Sequence, residues 1–273
     1  MATAPEPLPR LGMGTWHMGE DPSRRGKEVA ALQLGLDLGI TLIDTAEMYG
    51  EGGAEEVVGE AMRGRRGQAR IVTKFYPHHA SRELLRVACA RSLERLAVER
   101  IDCYLYHWRG STPLAETVEA LGELVEEGRI ASWGVSNFDV SDLEELVAIP
   151  GGERVAVNQV LYNLARRGIE FDLLSWCRER GMDVMAYSPL DEGPLARHPR
   201  VGALARALGV TAAELALAWT LRLPGICSIP KASTSEHVHA NRRAADLVLD
   251  RATLEALDEA FPPPRRKTAL AMI

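Results

Sequence analysis

Cysteine is scarce in this chain and never paired. Cys89, Cys103, Cys177 and Cys227 form no C-x-x-C spacing, and each sits in an apolar stretch. This argues against a disulfide framework and a cysteine zinc site, and for buried, reduced thiols in a cytoplasmic protein. The seven histidines fall into no metal-ligand pattern, so no metal is expected. No apolar run is long enough to span a bilayer. The opening MATAPEPLPR lacks the basic-then-apolar order of a signal peptide. There is no basic stripe and the net charge is −6, so neither nucleic acid nor an anionic membrane is an expected partner. No G-x-G-x-x-G turn follows a strand, and no P-loop occurs. The glycine-rich GEGGAEEVVGEA, residues 50–61, has other spacings and reads as a loop entering a helix.

An apolar share of 46% over 273 residues is ample for a large core. Short β-branched runs predict strands over residues 11–15, 41–44, 70–74, 101–107, 131–136, 155–159, 183–187 and 225–229. They are almost continuously apolar, as parallel strands covered on both faces require. Helical patterns lie between them. Thr112-Pro113 reads as a cap and first-turn proline before Leu114, Val118, Leu121 and Val125, with Gly128 at the end. Ser141-x-x-Glu144 and Thr211-x-x-Glu214 fit capping boxes. Ser81 can cap a helix with Leu84, Leu85, Ala88 and Leu96 on one face, and residues 26–39 and 54–64 are further helices. Eight strands alternating with about eight helices, without a linker, predict one (β/α)8 barrel domain over 1–273.

In such a barrel, sites gather where strands end. The predicted strand ends carry Asp44 with Tyr49 in the next loop, then Lys74, His107, Ser136 and Asn137, Gln159, Tyr187 and Ser188, and Lys231 and Ser233. Taken singly, each has an ordinary structural explanation. Together, a carboxylate, a phenol, an amine and an imidazole on adjacent strands form a complementary chemical set. A phenol can protonate a developing alkoxide. A buried ammonium beside it favours the phenolate, and a carboxylate would keep that ammonium charged. The imidazole can hold a carbonyl oxygen in line.

These residues carry a resemblance. "GTW", "LIDTAEMYG", "IVTKFYP", "YLYHW", "WGVSNF", "VNQVLYN", "AYSPL" and "SIPKAS…HAN" occur in the order of the aldo-keto reductases, over nearly the whole chain. More narrowly, "GTWHMGED", "TLIDTAEMY", "NQVLYN" and the ending "KTALAMI" resemble the bacterial methylglyoxal reductase type. The resemblance implies a barrel that binds NADP(H) extended, without a Rossmann fold, and transfers hydride to an aldehyde or ketone. It places the catalytic tetrad on Asp44, Tyr49, Lys74 and His107. It places nicotinamide contacts on Ser136, Asn137 and Gln159, with Tyr187 stacked on the ring. It implies further cofactor contacts at Thr15, Trp16, Ser188, Pro189, Leu190, Ile229, Pro230 and Ala232. Residues 190–197 resemble a segment that folds over the cofactor. Lys231 and Ser233 match the 2′-phosphate site, where a lysine and hydroxyls before a helix suit an anion. Glu236 and Asn241 match positions near the adenine. Where many members carry arginine after that glutamate, this chain has His237, which pairs with phosphate less well. NADPH is therefore expected through Lys231, with NADH the alternative.

Trp16, Tyr76 and Trp108 match aromatic positions of the substrate pocket. The short stretch from His107 to Pro113 suits an open, shallow site for small carbonyls such as methylglyoxal, and Met272 in the tail is a further candidate contact. A monomer is the expected state. Two other readings stay open: a nicotinamide-bound sensor on the same barrel, and a non-redox aldolase using Lys74 as a Schiff base.

Overall fold

The computed structural model describes residues 7–273. The reading of the N-terminal run, up to residue 6, lies outside the described residues. All eight expected strands form: β1 (Gly12–Gly14), β2 (Leu42–Asp44), β3 (Arg70–Phe75), β4 (Cys103–Tyr106), β5 (Trp133–Ser136), β6 (Val157–Leu161), β7 (Asp183–Tyr187) and β8 (Ile226–Ser228). Each pairs in parallel with the next in chain order. The Ser228 amide donates to the Arg10 carbonyl, and parallel bridges join Leu11 to Ser228 and Gly14 to Lys231. These bring β8 back against β1, giving a (β/α)8 barrel.

The helices are α1 (Arg25–Asp37), α2 (Gly53–Ala61), α3 (Arg82–Leu96), α4 (Leu114–Glu126), α5 (Val140–Val147), α6 (Leu173–Glu179), α7 (Pro199–Ala207), α8 (Ala212–Thr220), α9 (Ser235–Asp246) and α10 (Arg251–Ala260). The two-residue period of the strands sorts their side chains into two cores. Leu42, Val72, Cys103, Leu105, Val157, Met185, Cys227 and Ile229 fill the cylinder. Outward neighbours such as Ile43, Ile71, Tyr104, Val135 and Val184 pack under the helices in a larger cluster. Both faces of each strand are thereby dry, which is why the strand runs are apolar throughout. The same period turns Asp44, Lys74 and Gln159 inward, one step above the apolar filling.

The helix ends depart from the sequence reading in places. Thr211 and Glu214 do form a reciprocal capping box at α8. At α5, however, the cap is Asp139 with Asp142, not Ser141 with Glu144. Asp139-x-x-Asp142 offers the same two acceptors two residues earlier. Pro113 stands at the cap of α4 rather than in its first turn, and Thr112 makes no capping bond. Ser81 is the residue before α3, but its side chain does not cap; the Arg82 amide donates to Glu116 instead. On α3, Leu85, Ala88 and Leu96 are buried while Leu84 is 46% exposed, because it lies beside the apolar stripe and not within it.

Candidate active site

Strand ends bring the charged set together at one rim of the barrel. Lys74 is fully buried, and all three of its ammonium hydrogens have acceptors: Asp44 Oδ2 at 2.9 Å, the Thr45 carbonyl at 2.8 Å and Tyr49 Oη at 3.2 Å. Asp44 Oδ1 accepts a second bond, from Gln159 Nε2 at 2.8 Å across the cylinder. Both carboxylate oxygens thus receive N–H donors; burial pushes the Asp44 pKa up on balance, while the Lys74 charge and the bonds from Lys74 and Gln159 oppose that rise. Burial opposes the charge on Lys74, but the Asp44 carboxylate, Tyr49 and their hydrogen bonds outweigh it, and its pKa rises.

Tyr49 sits in a short turn, Tyr49–Gly52, between β2 and α2. Gly50, Glu51 and Gly52 take φ of 57°, 52° and 94°, the left-handed region in which glycine is at ease. The turn is braced from outside by the β1–α1 loop. A Cβ on Gly19 would lie 2.3 Å from the Gly53 carbonyl carbon, so only glycine allows that approach. The Gly19 amide is fixed by the buried Glu28 carboxylate at 2.9 Å. Burial pushes the Tyr49 phenol upward, while Lys74 pulls it down. The expected ammonium effect is present, but burial exceeds it and the net direction is up, so the phenol stays protonated at neutral pH.

His107 directly follows β4 and is buried, its ring edge-on to Tyr49 with centroids 5.9 Å apart. Burial, helped by the Lys74 charge, lowers its pKa to about 2, so the imidazole is neutral. Its Nδ1 has no partner among the described residues. Ring contacts extend along the rim: Trp16 packs on Tyr49 at 6.4 Å, Trp108 on His107 at 4.8 Å, and Tyr76 edge-on to Trp108 at 6.2 Å.

A cavity of about 470 Å³ opens beside this group. Of the expected cofactor residues, Thr15, Trp16, Tyr187, Ser188, Pro189, Leu190, Ile229, Pro230 and Lys231 line it, together with Asp44 and Tyr49. Ser136, Asn137, Gln159, Ala232, Ser233, Glu236, His237 and Asn241 do not, nor do Lys74, His107, Tyr76 and Trp108. Asn137, at φ 59°, donates to Ser136 Oγ and the His107 carbonyl, and its Oδ1 accepts from Tyr187 Oη at 3.0 Å. Gln159 has its Nε2 committed to Asp44, so its amide belongs first to the charged network. Ser233 is half-buried just before α9, whose cap, Thr234, accepts from the His237 amide. Glu236 and His237 are exposed in the first turn of α9, and Asn241 is half-buried one turn on.

The sequence reading missed some residues. Gly14 and His17 also line the cavity, while Glu192 and Gly193 line it from within the 190–197 segment expected to fold over the cofactor. Glu47 is buried, and its Oε1 accepts from the Tyr76 amide at 2.7 Å and bonds His79 Nδ1 at 2.8 Å. It ties the Tyr49 loop to the end of β3; the signal was an acid inside the otherwise apolar TAEMY. The tail does reach the rim: Lys267 pairs with Asp139 and Asp172. Met272 is exposed.

Residues 10–261 match the model of the Aldo/keto reductase family. Methylglyoxal reductase YeaE of Escherichia coli (strain K12) is 49% identical over 271 residues, 97% of this chain and 95% of that protein. The NADH-specific methylglyoxal reductase of the same strain is 35% identical over 217 residues, 69% of this chain and 65% of that one. An aldo/keto reductase from Klebsiella pneumoniae, solved in complex with NADP and acetate, is 50% identical, with a TM-score of 0.96 over 97% of this chain and 96% of that one.

Proposed function

The chain belongs to the aldo/keto reductase family, and from that premise we propose that it reduces small aldehydes and dicarbonyls, methylglyoxal among them, to alcohols with NADPH, Tyr49 being the proton donor. The observation that carries this is the 3.2 Å bond from Lys74 Nζ to Tyr49 Oη at the cavity wall. Because the phenol oxygen accepts from the ammonium, the phenol's own hydrogen is left to donate elsewhere. When bound, NADPH supplies the hydride to the carbonyl carbon. Tyr49 then protonates the oxygen on which negative charge builds, and Lys74 steadies the phenolate left behind. Asp44 keeps Lys74 charged, and neutral His107 orients the carbonyl oxygen by an N–H bond.

The residues fit a dinucleotide. Tyr187 offers a ring whose plane is fixed by its bond to Asn137. Ser136, Asn137 and Gln159 would hold the nicotinamide amide, Thr15 and Trp16 would contact the cofactor from the cavity wall, and Ser188, Pro189 and Leu190 would meet its pyrophosphate. Lys231 would hold the 2′-phosphate, with Ile229, Pro230, Ala232 and Ser233 as its chain neighbours, and Glu236, His237 and Asn241 would serve the adenine. Lys231 is exposed at the cavity edge, just before α9, where its ammonium can meet a phosphate. NADPH is favoured over NADH on that ground, despite His237.

Small carbonyls accord with the short stretch between His107 and α4, and with the relatives named methylglyoxal reductases. The reading takes the whole chain as one barrel domain working as a monomer in the cytoplasm. Buried reduced thiols are in keeping with that setting, Cys89, Cys103 and Cys177 being pushed up to about 12. The aldolase alternative is weakened because a Schiff base needs a free amine, whereas Lys74 is a fully bonded ammonium. The test is cofactor oxidation over a panel of small aldehydes, comparing NADPH with NADH. Turnover with NADPH and methylglyoxal is expected. Absence of oxidation with every carbonyl, or borohydride trapping of a carbonyl on Lys74, would overturn the reading.

A further inference from the structure

The cavity wall from Ser188 to Gly193 is held in an unfavourable backbone shape. Ser188, Asp191 and Glu192 have φ of 48°, 51° and 57°, and Gly193 has 114°. Residues with a Cβ rarely stay in the left-handed region unless neighbours hold them there. The holding group is Asn163, which is fully buried beyond the end of β6 and lines no part of the cavity. Its Oδ1 accepts from the Ala165 amide at 2.9 Å and the Arg166 amide at 3.0 Å, which fixes the side chain. Its Nδ2 donates to the Ser188 carbonyl at 2.8 Å and to Asp191 Oδ1 at 3.4 Å. The Ser188 carbonyl also accepts from the Asp191 amide at 2.9 Å, so two donors close the turn on one oxygen. Arg166 Nε adds a bond to Asp191 Oδ1 at 3.2 Å. Asn163 and Arg166 thus form a bracket on which the β7–α7 segment hangs, and none of its hydrogen bonds involves Asp44, Lys74 or Tyr49.

We propose that Asn163 is a positioning residue for the dinucleotide. By holding Ser188 and Asp191 in their left-handed turn it keeps the β7–α7 segment against the cavity, and so sets how fast a bound dinucleotide leaves. This rests on the proposed cofactor use. The amide is needed for both its ends: a carboxylate would keep the acceptor for residues 165 and 166 but face the Ser188 oxygen and Asp191 with repulsion.

The test compares the full-length protein with Asn163→Ala, Asn163→Asp and Arg166→Ala. NADPH dissociation is followed by stopped-flow tryptophan fluorescence, and hydride transfer by single-turnover oxidation of prebound NADPH with methylglyoxal. Loss of the Asn163 bond is expected to speed NADPH release by about five- to tenfold in Asn163→Ala. Asn163→Asp should release faster still, and Arg166→Ala, which leaves the Asn163 bonds in place, about two- to threefold faster. The single-turnover rate should stay within about twofold of the original in all three, a separation that general unfolding would not give. An unchanged release rate in Asn163→Ala overturns the proposal, as does a fall in single-turnover rate matching the gain in release. If Asn163→Ala does not fold, Asn163→Asp, which keeps the side chain's size and its acceptor for residues 165 and 166, decides: release no faster than in the original protein overturns it. Failure of the original protein to bind NADPH at all would instead sink the proposed function.

Discussion

The two sides of the cavity are built on opposite terms. On the β2–β4 side, Asp44, Lys74 and His107 are buried, and every hydrogen of the Lys74 ammonium has an acceptor. On the β7–α9 side, Lys231, Glu236 and His237 are exposed, and the intervening segment keeps a left-handed backbone through bonds to Asn163. The difference teaches where rigidity is needed. Proton transfer requires groups fixed to within a fraction of an ångström, whereas a dinucleotide must enter and leave on each turnover. The buried side gives up adaptability for geometry; the open side does the reverse.

The comparison can be broken by attacking each side in turn. The largest effect is expected from Lys74→Met, which leaves the Asp44 carboxylate buried with only Gln159. Removing one partner of a buried pair costs about 3–5 kcal/mol, so urea unfolding should show a loss of that size along with loss of turnover. A loss below about 1 kcal/mol would mean that the pair is not the buried, closed unit described. On the open side, Lys231→Ala should weaken NADPH binding roughly tenfold or more while leaving NADH nearly unchanged, with little effect on stability. Equal weakening of both cofactors would show that Lys231 does not read the 2′-phosphate.

A smaller effect sharpens the contrast through pH. His107 is neutral in the fold, its pKa lowered to about 2, and accepts a proton on unfolding near the ordinary value of 6.5. Above pH 6.5 it contributes no pH dependence, because neither state is protonated. Below that the unfolded state alone binds the proton, so stability falls as pH falls, by about 1.4 kcal/mol per pH unit toward pH 2. His107→Gln should remove that share of the slope between pH 6 and 4. An unchanged slope would mean that the imidazole is not held neutral.

How much of this was legible in the sequence follows the same division. Strands were readable because both of their faces are dry, so apolar runs mark them directly. Asp44, Lys74 and His107 were readable as polar residues ending such runs. The bond from Gln159 to Asp44 was not, since 115 residues separate them and only the closure of the cylinder brings them together. The partial burial of Tyr49 was equally hidden, so the ammonium effect was legible while the larger opposing one was not. At α5 two overlapping cap patterns competed, and the chain used Asp139 rather than Ser141. The resemblance placed Ser188 and Leu190 on the cofactor, but nothing local tied Asn163 to them; that contact spans 25 residues and depends on two loops meeting.

The most direct test is Tyr49→Phe, which removes only the hydroxyl that accepts from Lys74. Transient kinetics with NADPH and methylglyoxal should show kcat lower by roughly two to four orders of magnitude, the usual worth of a general acid. NADPH affinity should be nearly unchanged. A variant that keeps most of its turnover would contradict the assignment of Tyr49 as the proton donor.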